Sequence, residues 1–402
     1  MISNILSTYK RLIQHTNFTH HRYIYSEFNL KNRLTGLIGP RGTGKTTLLL
    51  QYIKENLKID DCIYISLDNI YFTQNNLIEF VNELYDVYGI RYFIFDETHK
   101  YPNWNQELKN LYDSYPDIKL IFSGSSSLDL IKGAYDLSRR GVIYRIGGMS
   151  FREYLLFNDI ANIQPISFTE LINERSKYES EIGSVKKILG YFKDYLGKGY
   201  YPFLLEDSES YSQKIQRIIE KTIYEDISNH YKLKTENLVN FRKIISYMAT
   251  IPPGELNRNS ISKNIGLDNK TIQNYLEILQ ETGLIQLILK NKSGSNLLKK
   301  TEKMFLDNPD IYKSTSEEIG FVTPVGTLRE IFFIKMMMNS GNTIHFSEVG
   351  DFSVNDLNFE IGGKNKDLKQ IKNNLENSYL VKDDIITGSK YEIPLYLFGF
   401  LY

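Results

Sequence analysis

The chain runs Gly39-Pro40-Arg41-Gly42-Thr43-Gly44-Lys45-Thr46 directly after a short apolar segment, Leu34–Ile38. This stretch fits the pattern G-x-x-x-x-G-K-[ST], and the following residues 46–58 have the apolar spacing of an α-helix. A strand, a glycine-rich turn and a helix N-terminus in this order direct backbone N–H groups toward a bound anion. The stretch therefore predicts a phosphate-binding loop (a Walker A motif) within a P-loop NTPase fold.

Each residue type in this loop suits a chemical task. The glycines let the backbone wrap closely around phosphates, Lys45 reaches the β- and γ-phosphates, and the Thr46 hydroxyl is a ligand for Mg²⁺. We expect the nucleotide to be bound by the whole loop and the start of the helix after it. This predicted set is Gly39, Pro40, Arg41, Gly42, Thr43, Gly44, Lys45, Thr46 and Thr47.

A second acidic motif accompanies the loop. Residues 92–97 read Tyr-Phe-Ile-Phe-Asp-Glu, an apolar run that ends in two carboxylates. Asp96 is expected to hold Mg²⁺ through its water shell, and Glu97 to polarise the attacking water. Two solvated acids that cap the next helix are the alternative interpretation. The order of the two motifs favours nucleotide hydrolysis.

The first 155 residues alternate between apolar runs and helical patterns. The predicted strands are 34–38, 62–67, 92–95 and 119–122, and the predicted helices include 46–58 and Trp104–Ser114. Nearly continuous apolar strands separated by helices indicate a parallel sheet with helices on both faces. The fold class is therefore α/β for residues 1–155, and Cys62 is expected to be a small buried residue in the second strand.

Composition limits the range of functions. The 402 residues correspond to two or three domains at about 150 residues each. Lys plus Arg and Asp plus Glu both number 48, so the overall charge gives no support for polyelectrolyte binding to nucleic acid or membrane. The single cysteine excludes an internal disulfide. Without a signal-like or membrane-spanning segment, the chain is expected to be cytoplasmic.

Several motifs together resemble the AAA+ ATPases. They are the Asp96-Glu97 pair, the turn Ser123-Gly124-Ser125-Ser126, and the segment 150–154. The narrower resemblance is to bacterial and archaeal AAA-type ATP-binding proteins whose C-terminal half is an uncharacterised domain. This resemblance implies ATP and Mg²⁺ as ligands and ATP hydrolysis as the activity.

The resemblance also implies roles for further residues. A polar residue after the fourth strand would sense the γ-phosphate, and either Ser123 or Ser125 matches it. Arg140 matches the family's arginine finger or subunit contact, with the choice between Arg139 and Arg140 left open. His99 would orient Glu97 or water, or be an ordinary turn histidine. Related ATPases form rings, which implies a homo-oligomer.

Residues 156–318 have a helical texture, with patterns at 182–196 and 211–231. Within them, 259–289 reads as a helix-turn-helix followed by a strand, with Ser260 and Asn269 as helix caps, and resembles a winged helix. DNA and protein both remain open as its partner, because the exposed face mixes cations, amides and acids and has no arginine. These residues are Lys270, Gln273, Asn274, Glu277, Gln280 and Glu281, followed by Lys290, Lys292, Lys299, Lys300 and Lys303.

Residues 319–402 resemble a small α+β domain of the restriction-endonuclease type. Its candidate acids are Glu330, Asp351 and Glu360. A lysine is required two residues after the last acid, but position 362 is glycine and the first lysine is Lys364. A degenerate, structural version of this fold is therefore favoured over a metal-dependent nuclease.

We thus predict a Mg-ATP-binding AAA-type ATPase that hydrolyses ATP slowly and drives a conformational change in its C-terminal domains. The alternative is a non-catalytic switch that binds DNA or a protein according to its nucleotide state.

Overall fold

The computed structural model of the protein describes residues 2–16, 19–125, 140–231, 233–290 and 302–402. The chain separates into two compact units, residues 1–147 and residues 148–402. The finer division into domains at residues 155 and 318 stays a prediction.

The first unit is built on a five-stranded parallel sheet with the order β2-β3-β4-β1-β5. Nearly every residue of the first four strands is buried, because side chains on both faces pack into the core. The predicted parallel α/β sheet is confirmed, and Cys62 is fully buried in it. The strands are β1 Leu34–Ile38, β2 Cys62–Ser66, β3 Tyr92–Asp96, β4 Lys119–Gly124 and β5 Gly141–Arg145.

The strand β5 has no counterpart among the predicted strands. It lies at the edge of the sheet beside β1, and none of its five residues is buried. An edge strand of this kind needs no continuous apolar run, so its sequence lacks the pattern by which the other strands were found.

In the described part of this unit, four α-helices flank the sheet, and the bounds of α3 follow from its sequence. Asn76 caps α3, since its side chain accepts a hydrogen bond from the Glu79 amide at 2.8 Å, and Gly89 ends the helix with a left-handed φ of 71°. The helices are α1 Ile2–His15, α2 Lys45–Asn56, α3 Leu77–Tyr88 and α4 Trp104–Ser114. Because α2 begins at Lys45, the loop lysine lies in the first turn of a helix.

The second unit is mainly helical. Its helices are α5 Phe151–Phe157, α6 Phe168–Asn173, α7 Arg175–Gly183, α8 Ile188–Gly197, α9 Tyr211–Lys221, α10 Ser228–Tyr231, α11 Thr235–Thr250, α12 Arg258–Ile265, α13 Asn269–Glu281, α14 Pro309–Glu318 and α15 Val325–Asn339. The predicted helix 211–231 is present as α9, a π-helical turn over Thr222–Ile227, and α10.

The prediction of one helix over 182–196 is wrong. α7 ends at Gly183, and Lys187, with a φ of 64°, precedes α8. A left-handed residue cannot continue a right-handed helix. The apolar spacing spans both helices and does not reveal this turn.

A helix-turn-helix is formed by α12 and α13, with Gly266 between them at a φ of 78°. Its predicted caps are wrong by one and three positions. The side chain of Asn257 accepts from the Ser260 amide at 2.9 Å, and that of Asp268 accepts from the amides of Lys270 and Thr271, the second and third residues of α13. Both Asn257 and Asp268 have the extended backbone that a cap requires, whereas Asn269 already belongs to the helix and Ser260 lies within α12.

The apolar face predicted for α13 is buried, and it contains Ile272, Tyr275, Leu276 and Leu279. After this helix, β6 Ile285–Leu289 pairs antiparallel with β7 Glu302–Leu306. The classification of residues 259–289 as a winged helix stays a prediction.

A separate five-stranded sheet follows, in the order β12-β11-β10-β9-β8. β8 and β9 pair antiparallel, as do β9 and β10, whereas β10, β11 and β12 pair parallel, which confirms a mixed α+β tail. The resemblance to restriction endonucleases stays a prediction. The strands are β8 Ile344–Phe346, β9 Phe352–Val354, β10 Leu357–Gly362, β11 Ser378–Lys382 and β12 Glu392–Pro394. Among the described residues, no helix has the length and apolarity needed to cross a bilayer.

Candidate functional site

The predicted phosphate loop connects the end of β1 to the start of α2. Gly42 and Gly44 have φ values of 78° and 89°, which only glycine adopts without strain. Gly39 is required for a different reason, since a Cβ there would lie 2.2 Å from the carbonyl oxygen of Ile146. The three glycines therefore permit a tight turn that ends at the N-terminus of a helix, where backbone N–H groups and the helix dipole favour an anion.

Lys45 is held against this loop. The lysine is only 5% exposed, and its ammonium group donates to the carbonyl oxygens of Gly39 at 2.8 Å and Pro40 at 2.9 Å. Thr43 is fully buried and its hydroxyl donates to the same Pro40 oxygen at 2.8 Å. The side chains thus stabilise the loop from within and keep a positive charge at the start of α2.

Arg22 supports the loop from outside, and sequence analysis did not find it. Its guanidinium donates to the carbonyl of Thr43 and, at 2.9 Å, to that of Gly147. The residue is 5% exposed, so these charge-assisted bonds lie in a water-poor setting. The sequence around it, His-His-Arg-Tyr at 20–23, contains no motif by which Arg22 could have been recognised.

The acidic pair lies at the same edge of the sheet as the loop. Asp96 is the last residue of β3, and its carboxylate accepts a hydrogen bond from the Thr46 hydroxyl at 2.5 Å. Parallel strands bring their carboxyl ends to one edge, which explains how residues fifty positions apart meet there. The structure therefore brings together the two motifs that the sequence predicts to cooperate.

Three further donors surround the Asp96 carboxylate. They are the Ser123 hydroxyl, the Glu97 amide at 2.9 Å and the Tyr64 hydroxyl at 2.7 Å. Asp96 is 2% exposed, so four hydrogen bonds compensate the removal of its charge from water. Burial, with the nearby Asp96 charge, raises the pKa of the Tyr64 hydroxyl well above its ordinary value, which keeps it a donor.

Glu97 has an unusual backbone. Its φ of 51° and ψ of 38° are left-handed values, which are uncommon for a residue other than glycine. A carboxylate oxygen of Glu97 lies 3.4 Å from Nε2 of His99, and the Ser125 hydroxyl lies 3.5 Å from the same nitrogen. The predicted base, the predicted orienting histidine and one of the two candidate sensors are therefore neighbours.

Of the two candidate sensors, Ser123 contacts Asp96 and Ser125 lies beside His99. Arg140 pairs with Asp113 of α4 at 3.2 Å. Ser126 and Arg139 lie outside the described residues. The roles of Ser123, Ser125 and Arg140 toward the nucleotide stay predictions.

The residues at this edge fit Mg²⁺ and a nucleotide phosphate. Hydroxyl and carboxylate oxygens, as on Thr46 and Asp96, are the ligands that Mg²⁺ prefers. Backbone amides and one lysine suit a phosphate group. Arg41 lies within the loop, and Thr47 lies in the first turn of α2.

A separate cluster of acids occupies the second unit. Burial raises the pKa of Glu330 to about 7, with contributions from the charges of Asp351 and Glu360. The Lys366 ammonium lies 2.5 Å from the carboxylate of this cluster's Glu360, although Lys364 is the first lysine after Glu360 in the sequence. The chain turns back after β10, so spacing along a strand does not identify the contacting lysine. No described group of three or more His, Cys, Asp or Glu residues is placed to hold a metal.

Several polar side chains that the sequence places on or after the exposed face of the second helix, as candidate contacts to DNA or protein, bond to other residues of the chain. Gln273 bonds to Arg258 and Glu277, and Glu281 accepts from Tyr231 at 2.6 Å. Two lysines after the helix pair with acids, namely Lys290 with Glu348 and Lys303 with Asp351. Lys292, Lys299 and Lys300 lie outside the described residues.

This fold and site define a P-loop NTPase domain. Residues 31–155 match the family described as an AAA domain, and residues 189–315 match a domain of unknown function, DUF8612. The first match covers the sheet, the phosphate loop and the acidic pair, so this segment is similar to AAA domains. A comparison with curated proteins gave no significant match.

Among solved structures, two variants of RuvB from Thermotoga maritima give TM-scores of 0.29 and 0.25, at 13% and 14% identity. Each alignment covers 80% of this chain and 95% of the RuvB chain. PCH-2 from C. elegans gives a TM-score of 0.25 at 15% identity, over 68% of both chains. Scores this low carry no inference of function from those proteins.

Proposed function

We propose that the first unit binds Mg-ATP, hydrolyses it slowly, and passes its nucleotide state to the second unit as a conformational change. The observation that carries this proposal is the 2.5 Å hydrogen bond from Thr46 to Asp96, because it joins the phosphate loop to the acidic pair. A glycine-rich turn without a nucleotide role has no need of a buried carboxylate at this position.

In this proposal the loop amides and Lys45 bind the β- and γ-phosphates. Thr46 and Asp96 hold Mg²⁺, which would neutralise charge on the phosphates. Ser123 donates to Asp96 and thereby links the strand after the acidic pair to the metal position. The loop and acidic pair provide binding and orientation, which are the main requirements of phosphoryl transfer.

Glu97 is the proposed general base. Its amide donates to Asp96 at 2.9 Å, so the backbone of Glu97 is fixed relative to the metal-binding carboxylate. His99, 3.4 Å from the Glu97 carboxylate, would orient it toward a water molecule. A base positioned in this way contributes roughly 10²- to 10⁴-fold to a rate.

The test compares phosphate release by the wild-type chain and by Glu97→Gln, with nucleotide binding measured in parallel. We expect the variant to bind ATP as the wild type does and to lose about 10²-fold or more of its turnover. Equal turnover would place the base elsewhere. Tight binding by the wild type without any turnover, with or without DNA, would instead favour a nucleotide-dependent switch.

We further propose that the chain assembles with copies of itself when ATP is bound, so that Arg140 reaches the nucleotide of a neighbouring copy. Molecular mass measured with and without a slowly hydrolysed ATP analogue tests this assembly. A mass that stays at one chain in both conditions would contradict it. DNA or a protein, contacted through the helix-turn-helix of α12 and α13, remains the proposed partner.

A further inference from the structure

One of the four donors to Asp96 belongs to neither nucleotide-binding motif. Tyr64 lies in β2, which pairs with β3 in a register that sets Tyr64 beside Ile94 and Ser66 beside Asp96. Its hydroxyl reaches along the sheet and donates to Asp96 Oδ2 at 2.7 Å. This is the same carboxylate oxygen that accepts from the Thr46 hydroxyl.

From this contact we infer that Tyr64 is a positioning residue for Mg²⁺, acting through Asp96. The inference rests on the proposed function, in which Asp96 and Thr46 hold the metal. The Tyr64 hydroxyl also has a side-chain hydrogen bond with Thr46, so it contacts both residues that are proposed to hold the metal. Its effect is to fix the orientation of the carboxylate.

The physical reason lies in where each donor comes from. Thr46 belongs to the first turn of α2 and is exposed, whereas Tyr64 is 8% exposed and belongs to β2, an edge strand of the sheet whose residues are nearly all buried. Its neighbours in β2, Cys62 and Ile63, are fully buried. The tyrosine therefore anchors Asp96 to the rigid sheet, and the carboxylate cannot turn about its terminal bond without losing this contact.

Side chains that orient a metal ligand in this way strongly affect metal binding. Loss of a side chain that orients a metal ligand typically lowers the affinity for the metal by about 10- to 100-fold. A phenylalanine at position 64 would keep the packing of the ring and remove only the hydroxyl. The Asp96 carboxylate would then be held by Thr46, Ser123 and its own neighbour's amide.

The test uses Tyr64→Phe in the full chain, with Tyr9→Phe as a matched control. Tyr9 is 1% exposed and its hydroxyl donates to the carbonyl of Ile59 at 3.2 Å, so the control also removes one buried tyrosine hydroxyl from the same unit. Binding of a fluorescent ATP analogue is measured in EDTA and across a Mg²⁺ titration, together with the melting temperature.

We expect Tyr64→Phe to bind the analogue as the wild type does in EDTA and to need about tenfold more Mg²⁺ for half of the affinity gain. Tyr9→Phe should need no more Mg²⁺ than the wild type. An unchanged or lower Mg²⁺ requirement in Tyr64→Phe would overturn the inference, as would an equal loss of affinity with and without Mg²⁺, which indicates a merely structural role. A wild-type chain whose affinity does not respond to Mg²⁺ would contradict the proposed function itself.

Discussion

The hydroxyl of Thr46 donates a hydrogen bond to the carboxylate of Asp96 across 2.5 Å, although fifty positions separate the two residues. The first residue lies in the helix that follows the phosphate loop, and the second ends β3. Each motif alone is compatible with an ordinary turn or an ordinary helix cap. Their contact at one sheet edge supports the proposal that both act on one ligand.

Arg22 should matter for nucleotide affinity although it belongs to no motif. Its guanidinium donates to the carbonyl of Thr43 inside the loop, so Arg22→Met would leave that carbonyl unpaired and loosen the turn. We expect nucleotide affinity to fall about tenfold, or roughly 1.4 kcal/mol, in a fluorescence titration.

The matched control for this prediction is Arg33→Met. Arg33 also donates to main-chain carbonyls, those of Tyr112 and Tyr115, but not to any carbonyl of the phosphate loop. Both variants should lose stability, and only Arg22→Met should lose affinity. An equal change in affinity for the two variants would show that the effect is general destabilisation.

Arg140 should affect turnover far more than folding. Its ion pair with Asp113 joins side chains that are 28% and 51% exposed, and such pairs contribute about 1 kcal/mol or less. If Arg140 acts on the nucleotide of a neighbouring copy, Arg140→Ala should lower turnover by about 10³-fold. Asp113→Ala should keep most of the activity, since it only releases the arginine. Similar losses in the two variants would instead assign Arg140 to its contact within the chain.

The second unit should lose stability as the pH rises through neutrality. Burial and the charges of Asp351 and Glu360 raise the pKa of Glu330 from 4.5 to about 7. Since the folded pKa exceeds the unfolded one, the stability from the neutral carboxyl is fully present below pH 4.5 and is lost as the pH rises through about 7. Glu330→Gln stays neutral and should remove roughly 3 kcal/mol of this dependence.

The free energy of unfolding of the wild type and of Glu330→Gln, measured with denaturant at several pH values between about 4.5 and 8, checks this prediction. The buried Asp310, with a pKa raised by burial to about 6, acts in the same direction in both chains, so their difference isolates Glu330. Parallel curves for the wild type and Glu330→Gln would contradict it.

The sequence predicts the elements whose signal is contiguous. The strands β1 to β4 are apolar runs, and the loop and the acidic pair are read directly from neighbouring residues. The strand β5 has no such signal, because it is a half-exposed edge strand. The predicted helix boundaries are wrong where the backbone of a single residue ends a helix, as Lys187 does between α7 and α8.

The supporting residues of the site were missed for a different reason. The apolar run of β2 indicates that Tyr64 is buried, but not that its hydroxyl donates to a carboxylate 32 positions away. Likewise, Lys366 contacts Glu360 only because the chain turns after β10. Contacts of this kind depend on the register between strands and on loop geometry, and no local pattern encodes either.

The central claim is that the loop at residues 39–46 binds the phosphates of a nucleotide, and Lys45→Ala tests it most directly. Lys54→Ala is the matched control, because Lys54 lies on the same helix and also donates to a main-chain carbonyl, that of Thr16. The measurement is the dissociation constant for ATP at a fixed Mg²⁺ concentration. We predict that Lys45→Ala weakens binding by about 100-fold or more, roughly 3 kcal/mol, and that Lys54→Ala leaves it unchanged. Wild-type affinity in Lys45→Ala would contradict the account.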